Sequence, residues 1–232
     1  MKRNYFELFA KPNSQKGLSF GNQSLIGTDD DDIITGGADD DIIEGFGGAD
    51  KLDGGGGNKT LSYASSTSGV YVFLISNYAF GGHAEGDEIK NFSNLIGSQH
   101  NDVLVGNWDD NIIGGRDGHD IIYSYGGVNF LSGGDGNDKL YGGEGADTLY
   151  GGNGSDIFVL SYDYTEDVVK DFEDGVDKIG LDDDITFESL SISNADEHTS
   201  IADKYDGTIY MVLENITASD ITADDFISLE VV

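Results

Sequence analysis

A repeat of nine residues constrains the fold of this chain more than any other feature. Residues 133–159, GGDGNDKLYGGEGADTLYGGNGSDIFV, contain three consecutive copies, each with glycines first, an aspartate sixth and an apolar residue eighth. The same count extends back to Gly97, and a separate array begins at Gly27. Every eighth position of both arrays is apolar, which favours a folded repeat over a disordered acidic tract: Ile34, Ile43, Leu52, Leu61, Leu104, Ile113, Ile122, Leu131, Leu140, Leu149 and Phe158.

The spacing within the repeat predicts a parallel β-solenoid. Three residues centred on the apolar position form a short strand, whose middle side chain points inward because side chains alternate along a strand. The six glycine-rich residues form a turn, since glycine accepts backbone angles that other residues avoid. Two nonapeptides complete one coil, and each coil contacts only its neighbours. We therefore predict an all-β fold, a parallel β-roll with a short-stranded C-terminal β segment packed on it.

The unit G-G-x-G-x-D-x-U-x resembles the calcium-binding nonapeptide of the repeats-in-toxin (RTX, or hemolysin-type) family. The resemblance implies about four to seven Ca²⁺ ions. Calcium suits such turns because it accepts six to eight hard oxygens, backbone carbonyls included. A single aspartate could equally make an Asx turn, but aspartates in register over many repeats favour a metal. The candidate calcium ligands are Asp32, Asp41, Asp50, Asp102, Gly118, Asp120, Gly133, Gly134, Gly136, Asp138, Gly142, Gly145, Asp147, Gly151, Asn153 and Asp156.

Successive nonapeptides turn at opposite edges of a roll, so aspartates two repeats apart face each other. A weaker site is expected between Asn129 and Asp147, and little binding between Asn111 and Asn129. Asp41 would face Lys59, whose ammonium group could replace the ion. The pairs expected to form sites are Asp32/Asp50, Asp102/Asp120, Asp120/Asp138 and Asp138/Asp156.

The repeats divide the chain into five segments. Residues 1–26 are predicted to be an N-terminal cap, with YFELF (5–9) covering the first coil, because solenoid ends must be covered. Residues 27–62 and 97–159 are the two arrays, and residues 63–96 between them resemble the calcium-free coils of secreted RTX proteins. Within that insertion VYVFLI (70–75) indicates a buried strand. Residues 160–232 form the C-terminal β segment.

The outward positions on the Asp102 side of the second array form a stripe that is too apolar to be left in water and is expected to be covered, either by the tail of the chain or by an external partner: Val103, Val105, Ile121, Tyr123, Lys139, Tyr141, Ile157 and Val159. The tail alternates apolar and polar residues between turns at Asp174-Gly175 and Asp206-Gly207, which predicts short antiparallel strands. Its D-F-x-x-G-x-D-x-I segment (171–179) resembles the one that follows the arrays in secreted proteases and alginate epimerases. The end, ADDFISLEVV, resembles an uncleaved type I secretion signal, although a terminal edge strand fits equally well.

Composition excludes several functions. Asp and Glu number 44 against 12 Lys and Arg, a formal net charge of -32, which disfavours nucleic acid and anionic membranes as partners. Cysteine is absent, the four histidines lack zinc-ligand spacing, and no apolar run could span a bilayer. H-E-x-x-H is absent, and GLSFG around Ser19 lacks the strand and helix of a nucleophile elbow, so no enzymatic activity is expected. The N-terminus also lacks the apolar core of a signal peptide.

These observations predict a secreted calcium-binding β-roll that folds in extracellular calcium and serves as a binding or scaffold module. Its expected partners are calcium, a type I exporter and a polysaccharide or cell-surface component. One alternative is a polysaccharide-binding module, specific for alginate, of a larger secreted enzyme, in which Trp108 could stack on a sugar. The other is a surface-layer or matrix protein.

Overall fold

The computed structural model describes residues 15–16, 22–160, 165–182 and 185–229. The predicted cap residues 5–9, Ser19 and the last three residues lie outside these ranges. The strands are β1 (Gln15–Lys16), β2 (Ser24–Ile26), β3 (Ile33–Thr35), β4 (Ile42–Glu44), β5 (Lys51–Asp53), β6 (Thr60–Ser62), β7 (Tyr71–Phe73), β8 (Tyr78–Phe80), β9 (Glu88–Lys90), β10 (Asn94–Ile96), β11 (Val103–Val105), β12 (Ile112–Asp117), β13 (Ile121–Tyr123), β14 (Phe130–Asp135), β15 (Lys139–Tyr141), β16 (Thr148–Asn153), β17 (Ile157–Val159), β18 (Asp167–Val169), β19 (Lys178–Leu181), β20 (Leu190–Ala195), β21 (His198–Asp203), β22 (Ile209–Leu213) and β23 (Phe226–Ser228). Short 3-10 helices occupy Leu74–Ser76, Gly82–Ala84, Phe187–Ser189 and Ala223–Asp225.

Two long sheets face each other across one narrow core. Sheet A has the strand order β1-β3-β5-β9-β8-β7-β11-β13-β15-β17-β19-β23, and sheet B has the order β2-β4-β6-β10-β12-β14-β16-β18-β22-β21-β20. In the arrays the neighbouring strands are parallel, and residues 18 apart pair, as Ile122 does with Leu140 and Leu131 with Leu149. Two nonapeptides therefore make one coil, which confirms the predicted parallel β-roll.

The eighth residue of each nonapeptide forms the core. It is the middle residue of its three-residue strand or the second of a longer one, so its side chain points between the sheets. All eleven eighth-position side chains are at most 1% exposed. Burial of each contributes about 1.5–3 kcal/mol relative to exposure. One column of apolar side chains on each sheet therefore holds the two layers together.

The sheets continue through the inserted segment. Strand β9 pairs parallel with β5, β8 is antiparallel to both of its neighbours, and β7 pairs parallel with β11. Sheet B gains only β10 over the same stretch, where Leu95 pairs with Leu61. The prediction of a buried strand at 70–75 is correct in part: the strand covers only Tyr71–Phe73, and residues 74–75 lie in a 3-10 helix. Val70 and Val72 are buried, whereas Tyr71 is 40% exposed.

The tail extends both sheets at the end of the roll. Strands β18, β19 and β23 pair parallel with their neighbours, so the prediction of antiparallel strands is wrong for them. It is correct for β20, β21 and β22, which form an antiparallel meander at the end of sheet B. Strands β18 and β19 stay parallel because each still places one apolar residue, Val169 or Ile179, in line with the core columns.

The apolar stripe of the second array is covered only in part. Near Gly180 the side chains of Leu229, Ile157 and Val159 converge, so the described tail covers the end of the stripe. Further along, Tyr123 and Tyr141 contact each other with ring centroids 5.6 Å apart. Ile121 stays 41% exposed. Among the described residues, the tail therefore shields one end of the stripe and not its whole length.

Candidate functional site

The turns that lead into sheet A form one edge of the roll, which we call edge A, and the turns that lead into sheet B form edge B. In the described part of the chain, nine strands of sheet A directly follow a buried aspartate, and eight of these aspartates end a turn of edge A, whereas Asp225 ends a 3-10 helix. This column of carboxylates is buried between successive coils: Asp32, Asp50, Asp87, Asp102, Asp120, Asp138, Asp156 and Asp177.

In every carboxylate of the column after Asp32, Oδ1 accepts a backbone N–H from the neighbouring coil. The backbone N–H of Asp102 donates to Oδ1 of Asp120 at 2.8 Å, that of Asp120 to Oδ1 of Asp138 at 2.7 Å, and that of Asp138 to Oδ1 of Asp156 at 2.8 Å. These four side chains are at most 1% exposed. The structure thus brings together the three pairs predicted in the second array.

The second oxygen of four of these carboxylates has no donor. Oδ2 of Asp50, Asp120, Asp138 and Asp156 is buried and accepts no hydrogen bond. Burial raises the pKa of Asp120 to about 8, with further increases from the charges of Asp102 and Asp138. Burial likewise raises the pKa of Asp156 to about 7 and that of Asp138 to about 6. Each of these oxygens therefore needs either a proton or a cation.

The first glycine of the turn leaves room beside this oxygen. A Cβ atom placed on Gly115 would lie 2.1 Å from Oδ2 of Asp120 and 2.7 Å from the carbonyl oxygen of Gly133 in the next turn. A Cβ atom on Gly133 would lie 2.2 Å from Oδ2 of Asp138 and 2.7 Å from the carbonyl oxygen of Gly151. Oxygens of two successive turns therefore surround a space that any side chain would fill.

Further carbonyl oxygens point from one turn to the next. Gly136 has a φ of 141°, and a Cβ atom there would lie 1.5 Å from the carbonyl oxygen of Gly118. The second residue of the nonapeptide is equally close to the preceding turn: a Cβ atom on Gly134 would lie 1.8 Å from the carbonyl oxygen of Arg116. These glycines are required because the backbone of the preceding turn occupies the space of a side chain.

This set of oxygens fits calcium. Within the described ranges, no three His, Asp or Glu side chains are placed to hold a metal ion by themselves. A site at edge A therefore combines carboxylate oxygens with backbone carbonyls, which calcium accepts in six- to eightfold coordination. Zinc prefers nitrogen or sulfur, and magnesium requires a near-ideal octahedron.

The first turn of each array differs from the others. Oδ2 of Asp32 accepts hydrogen bonds from the backbone and the hydroxyl of Thr28, at 2.7 and 2.9 Å. Oδ2 of Asp102 accepts one from the backbone of Ser98 at 2.6 Å, and the Ser98 hydroxyl donates to its Oδ1 at 2.8 Å. The predicted pairs Asp32/Asp50 and Asp102/Asp120 are therefore adjacent, but their first carboxylates already have donors.

Edge B holds a buried lysine in place of an ion. As expected, Asp41 faces Lys59, whose Nζ lies 3.2 Å from Oδ2 of Asp41 and whose side chain is 0% exposed. The ammonium also donates to the carbonyl oxygens of Asp39 and Gly56. Burial alone would raise the pKa of Asp41, but the amides of Gly37 and Gln23 together with Lys59 hold it below its usual value. Lys59 therefore contacts the carboxylate and carbonyl oxygens that a metal would otherwise need.

Asparagine amides perform a similar role further along edge B. The side-chain nitrogen of Asn129 donates to the carbonyl oxygens of Gly126 and Gly127 and to Oδ1 of Asp147 at 2.9 Å. The side-chain nitrogen of Asn111 donates to the carbonyl oxygen of Ser93 at 2.7 Å. At the pair predicted to be a weaker site, an amide group thus contacts the oxygens that face the neighbouring turn.

Three carboxylates of the columns were missed by sequence reasoning. The backbone N–H groups of Asp50, Asp156 and Asp147 donate to Oδ1 of Asp87, Asp177 and Asp167 at 2.9, 2.9 and 3.0 Å. A signal for each existed in the sequence, since an apolar residue follows two places later: Ile89, Ile179 and Val169.

The remaining candidate residues lie in the same turns. Gly142 lies beside Oδ2 of Asp147, and Gly145, with a φ of 120°, lies against the carbonyl oxygen of Gly127. The side chain of Asn153 is exposed and donates to Asp135 at 2.7 Å, so it points away from the column of carboxylates.

A shortened turn opens a groove on edge B. Only residues 91–93 connect β9 to β10, whereas each edge B turn of the arrays has six residues. The resulting groove of about 450 Å³ is lined by Trp108, Asn77, Asn91 and Asn107 among others. Trp108 is 60% exposed and contacts Tyr125 with ring centroids 5.6 Å apart. No helix in the described part of the chain is long and apolar enough to cross a bilayer.

Comparison with known proteins places the arrays in a family. The RTX calcium-binding nonapeptide repeat (four copies) matches residues 26–61, 94–122 and 123–158. No curated protein matches the chain. Similar solved structures include the AlgE6R3 and AlgE6R2 subunits of the Azotobacter vinelandii mannuronan C5-epimerase, each 23% identical with a TM-score of 0.29. These matches cover 56% of this chain and 78% of the AlgE6R3 chain, and 57% of this chain and 91% of the AlgE6R2 chain.

The extracellular lipase LipA from Serratia marcescens is 16% identical, with a TM-score of 0.32. That match covers 90% of this chain and 40% of the lipase. The residues that match the RTX repeat include the turns whose aspartates and carbonyl oxygens fit calcium. Residues 26–61 and 94–158 therefore match the RTX calcium-binding nonapeptide repeat, and the two arrays that contain them form a calcium-binding β-roll.

Proposed function

We propose that this chain is a secreted protein whose folding is driven by extracellular calcium and which serves as a binding or scaffold module. One observation carries the proposal: Oδ2 of Asp50, Asp120, Asp138 and Asp156 is buried without a hydrogen-bond donor. A folded chain without a cation would have to bury these oxygens unpaired or protonated.

The magnitudes support calcium-driven folding. Each unpaired buried oxygen costs about 1–3 kcal/mol, and more when charged. Four of them together cost about 4–12 kcal/mol, which is comparable to the whole stability of a domain, about 5–15 kcal/mol. Extracellular modules bind calcium with Kd values of about 10⁻⁴–10⁻³ M, and calcium at ten times Kd contributes about 1.4 kcal/mol per site. The chain is expected to be unfolded where calcium is scarce and folded where it is abundant.

We propose that a type I exporter secretes the chain and that its role outside the cell is binding and not catalysis. An unfolded, strongly acidic chain in a calcium-poor cytoplasm is a suitable substrate for a type I exporter, and folding outside the cell would prevent its return. The resemblance of the C-terminal residues to a type I secretion signal supports this route. Export is tested by expressing the chain with and without residues 223–232 beside a type I exporter, and secretion of the truncated chain would argue against it.

Far-UV circular dichroism of EDTA-treated protein during a calcium titration tests calcium-driven folding, with magnesium as the control ion. The expected result is a cooperative gain of β-signal between sub-millimolar and millimolar calcium, which magnesium does not reproduce. A complete β-signal in EDTA would refute calcium-driven folding. Calcium binding itself would then still be measured by equilibrium dialysis.

A second candidate function, saccharide binding, is favoured by the groove beside Trp108. An exposed indole next to asparagine amides is a suitable contact for a sugar ring, which has apolar faces and hydroxyl groups. Trp108 is the single tryptophan of the chain, so its fluorescence reports on the groove alone. A saturable change with alginate oligomers or a neutral oligosaccharide, together with calorimetric binding that is lost on Trp108→Ala, would support this function. An unchanged spectrum with both would exclude it at this groove.

A further inference from the structure

We infer that the inserted segment provides half of a calcium site, between Asp50 of the first array and Asp87 of the insertion. Residues 63–96 were expected to bind no calcium, and the matched repeats end at residue 61 and resume at residue 94. The inference rests on calcium binding by the RTX repeats and does not depend on calcium-driven folding.

The backbone places Asp87 in the column of edge A. The N–H of Asp50 donates to Oδ1 of Asp87 at 2.9 Å, which is the bond that joins Asp120 to Asp138 in the second array. The strands that follow are in register, with Leu52 opposite Ile89. Asp87 is 7% exposed and Asp50 is 0% exposed. The insertion therefore continues the carboxylate column by one coil.

An independent observation indicates that a cation belongs between them. Oδ2 of Asp50 is buried and has no donor. A Cβ atom on Gly45 would lie 2.0 Å from that oxygen, matching the 2.1 Å between a Cβ atom on Gly115 and Oδ2 of Asp120. The space beside Asp50 thus matches the space beside Asp120 in its glycine and its unpaired oxygen, whereas the nearby carbonyl oxygen that Gly133 provides beside Gly115 has no equally close counterpart beside Gly45.

The turn that contains Asp50 has the backbone of the inner turns of the second array. Phe46 and Gly48 have φ values of 68° and 115°, as Arg116 and Gly118 have values of 88° and 135°. The first turn of the array differs, since Thr28 donates to Asp32 and satisfies it. Among the turns of the first array on edge A, the one at Asp50 is therefore the turn that needs a cation.

Nearby side chains hold the carboxylates without neutralising them. The hydroxyl of Tyr63, which is 1% exposed, donates to Oδ2 of Asp87 at 2.8 Å and fixes its orientation. Lys51, on the strand that follows Asp50, pairs with Glu88 on the outer face at 3.0 Å. One divalent ion would match the two buried carboxylates in charge, and it would join the first array to the inserted segment.

Equilibrium dialysis with metal analysis on the calcium-saturated full chain tests this site. Asp87→Asn should bind one calcium ion fewer per chain than the unaltered protein. The variant is expected to fold, because Asn129 already accepts the equivalent backbone bond from Asn111 at 2.8 Å. Asp50→Asn should show the same loss. The control, Asp117→Asn, changes an exposed aspartate of another turn and should keep the full number of ions.

Terbium luminescence provides a second readout that does not require a variant in the column. Terbium bound beside Asp87 would be excited through Tyr63, so Tyr63→Phe should remove part of the tyrosine-sensitised emission while the ion count is unchanged. The inference is overturned if Asp87→Asn and Asp50→Asn both bind as many ions as the unaltered chain. It is also overturned if Asp87→Asn does not fold and Tyr63→Phe emits as strongly as the unaltered protein. Absence of any calcium in the unaltered chain would instead contradict its function as a calcium-binding roll.

Discussion

Replacement of Lys59 by methionine should destabilise the calcium-saturated roll by about 3–5 kcal/mol, the usual cost of removing one partner from a buried ion pair. The side chain is 0% exposed, and its Nζ lies 3.2 Å from Oδ2 of Asp41. At that distance the attraction is about 5 kcal/mol for an effective dielectric constant of about 20. Relief from burying the ammonium offsets part of this loss. The carbonyl oxygens of Asp39 and Gly56 also lose a donor.

Lys51→Met is the matched control, because Lys51 pairs with Glu88 at a similar distance of 3.0 Å but both side chains are more than half exposed. An exposed ion pair contributes at most about 1 kcal/mol. Urea unfolding in saturating calcium gives both free energies. A loss for Lys59→Met no larger than that for Lys51→Met would refute the argument that Lys59 neutralises a buried site.

Lys59→Asp separates charge from packing. It restores an aspartate opposite Asp41, so calcium can take the position of the ammonium group. The expected result is one additional calcium ion per chain in equilibrium dialysis. An unchanged ion count in a folded variant would show that edge B lacks the carbonyl geometry of a calcium site at this turn.

Three further predictions concern edge A and its turns. Because burial raises the pKa of Asp120 from 3.8 to about 8, the calcium-free roll binds more protons than the unfolded chain at pH values between these two. Its free energy of unfolding should therefore fall as pH rises, by about 1.4 kcal/mol per pH unit for each excess proton; a larger β-signal in EDTA at pH 8 than at pH 5 would contradict this. Gly136→Ala should lower the free energy of unfolding by more than ~3 kcal/mol, since its Cβ would lie 1.5 Å from a backbone oxygen. Gly207 also has a positive φ, 79°, but open space around it, so Gly207→Ala should lower it by about 1–2 kcal/mol in the same urea unfolding experiment. Asp177→Asn should remove one calcium ion in dialysis, and an unchanged count would place no ion between it and Asp156.

The period of nine carried most of the information about the fold. It predicted which residues are buried, how many residues make a coil and which aspartates of the second array face each other. The position of Lys59 opposite Asp41 also followed from the count. These features depend on local spacing, which the sequence displays directly.

The features that the count of nine missed arise where the spacing changes. Asp167 and Asp177 lie 20 and 21 residues after their partners, and Asp87 lies 37 residues after Asp50, because longer connections are accommodated between coils. The donors that satisfy the first turns were visible only as a threonine and a serine in place of the second glycine. Their effect depends on the backbone of the turn, which the pattern of residue types does not specify.

The oxygens at the two edges of the roll are balanced by different groups, which are side chains of the protein at edge B and, by our proposal, exchangeable ions at edge A. From Asp41 to Asn129, edge B is held by nitrogen atoms that are covalently part of the chain. Oxygens of edge A that have no such donor depend on ions that exchange with the solvent. Partial loss of calcium should lengthen edge A while edge B keeps its spacing, and a stack of coils with edges of unequal length is curved. Small-angle X-ray scattering at intermediate calcium would then detect a bent particle before it detects an unfolded one.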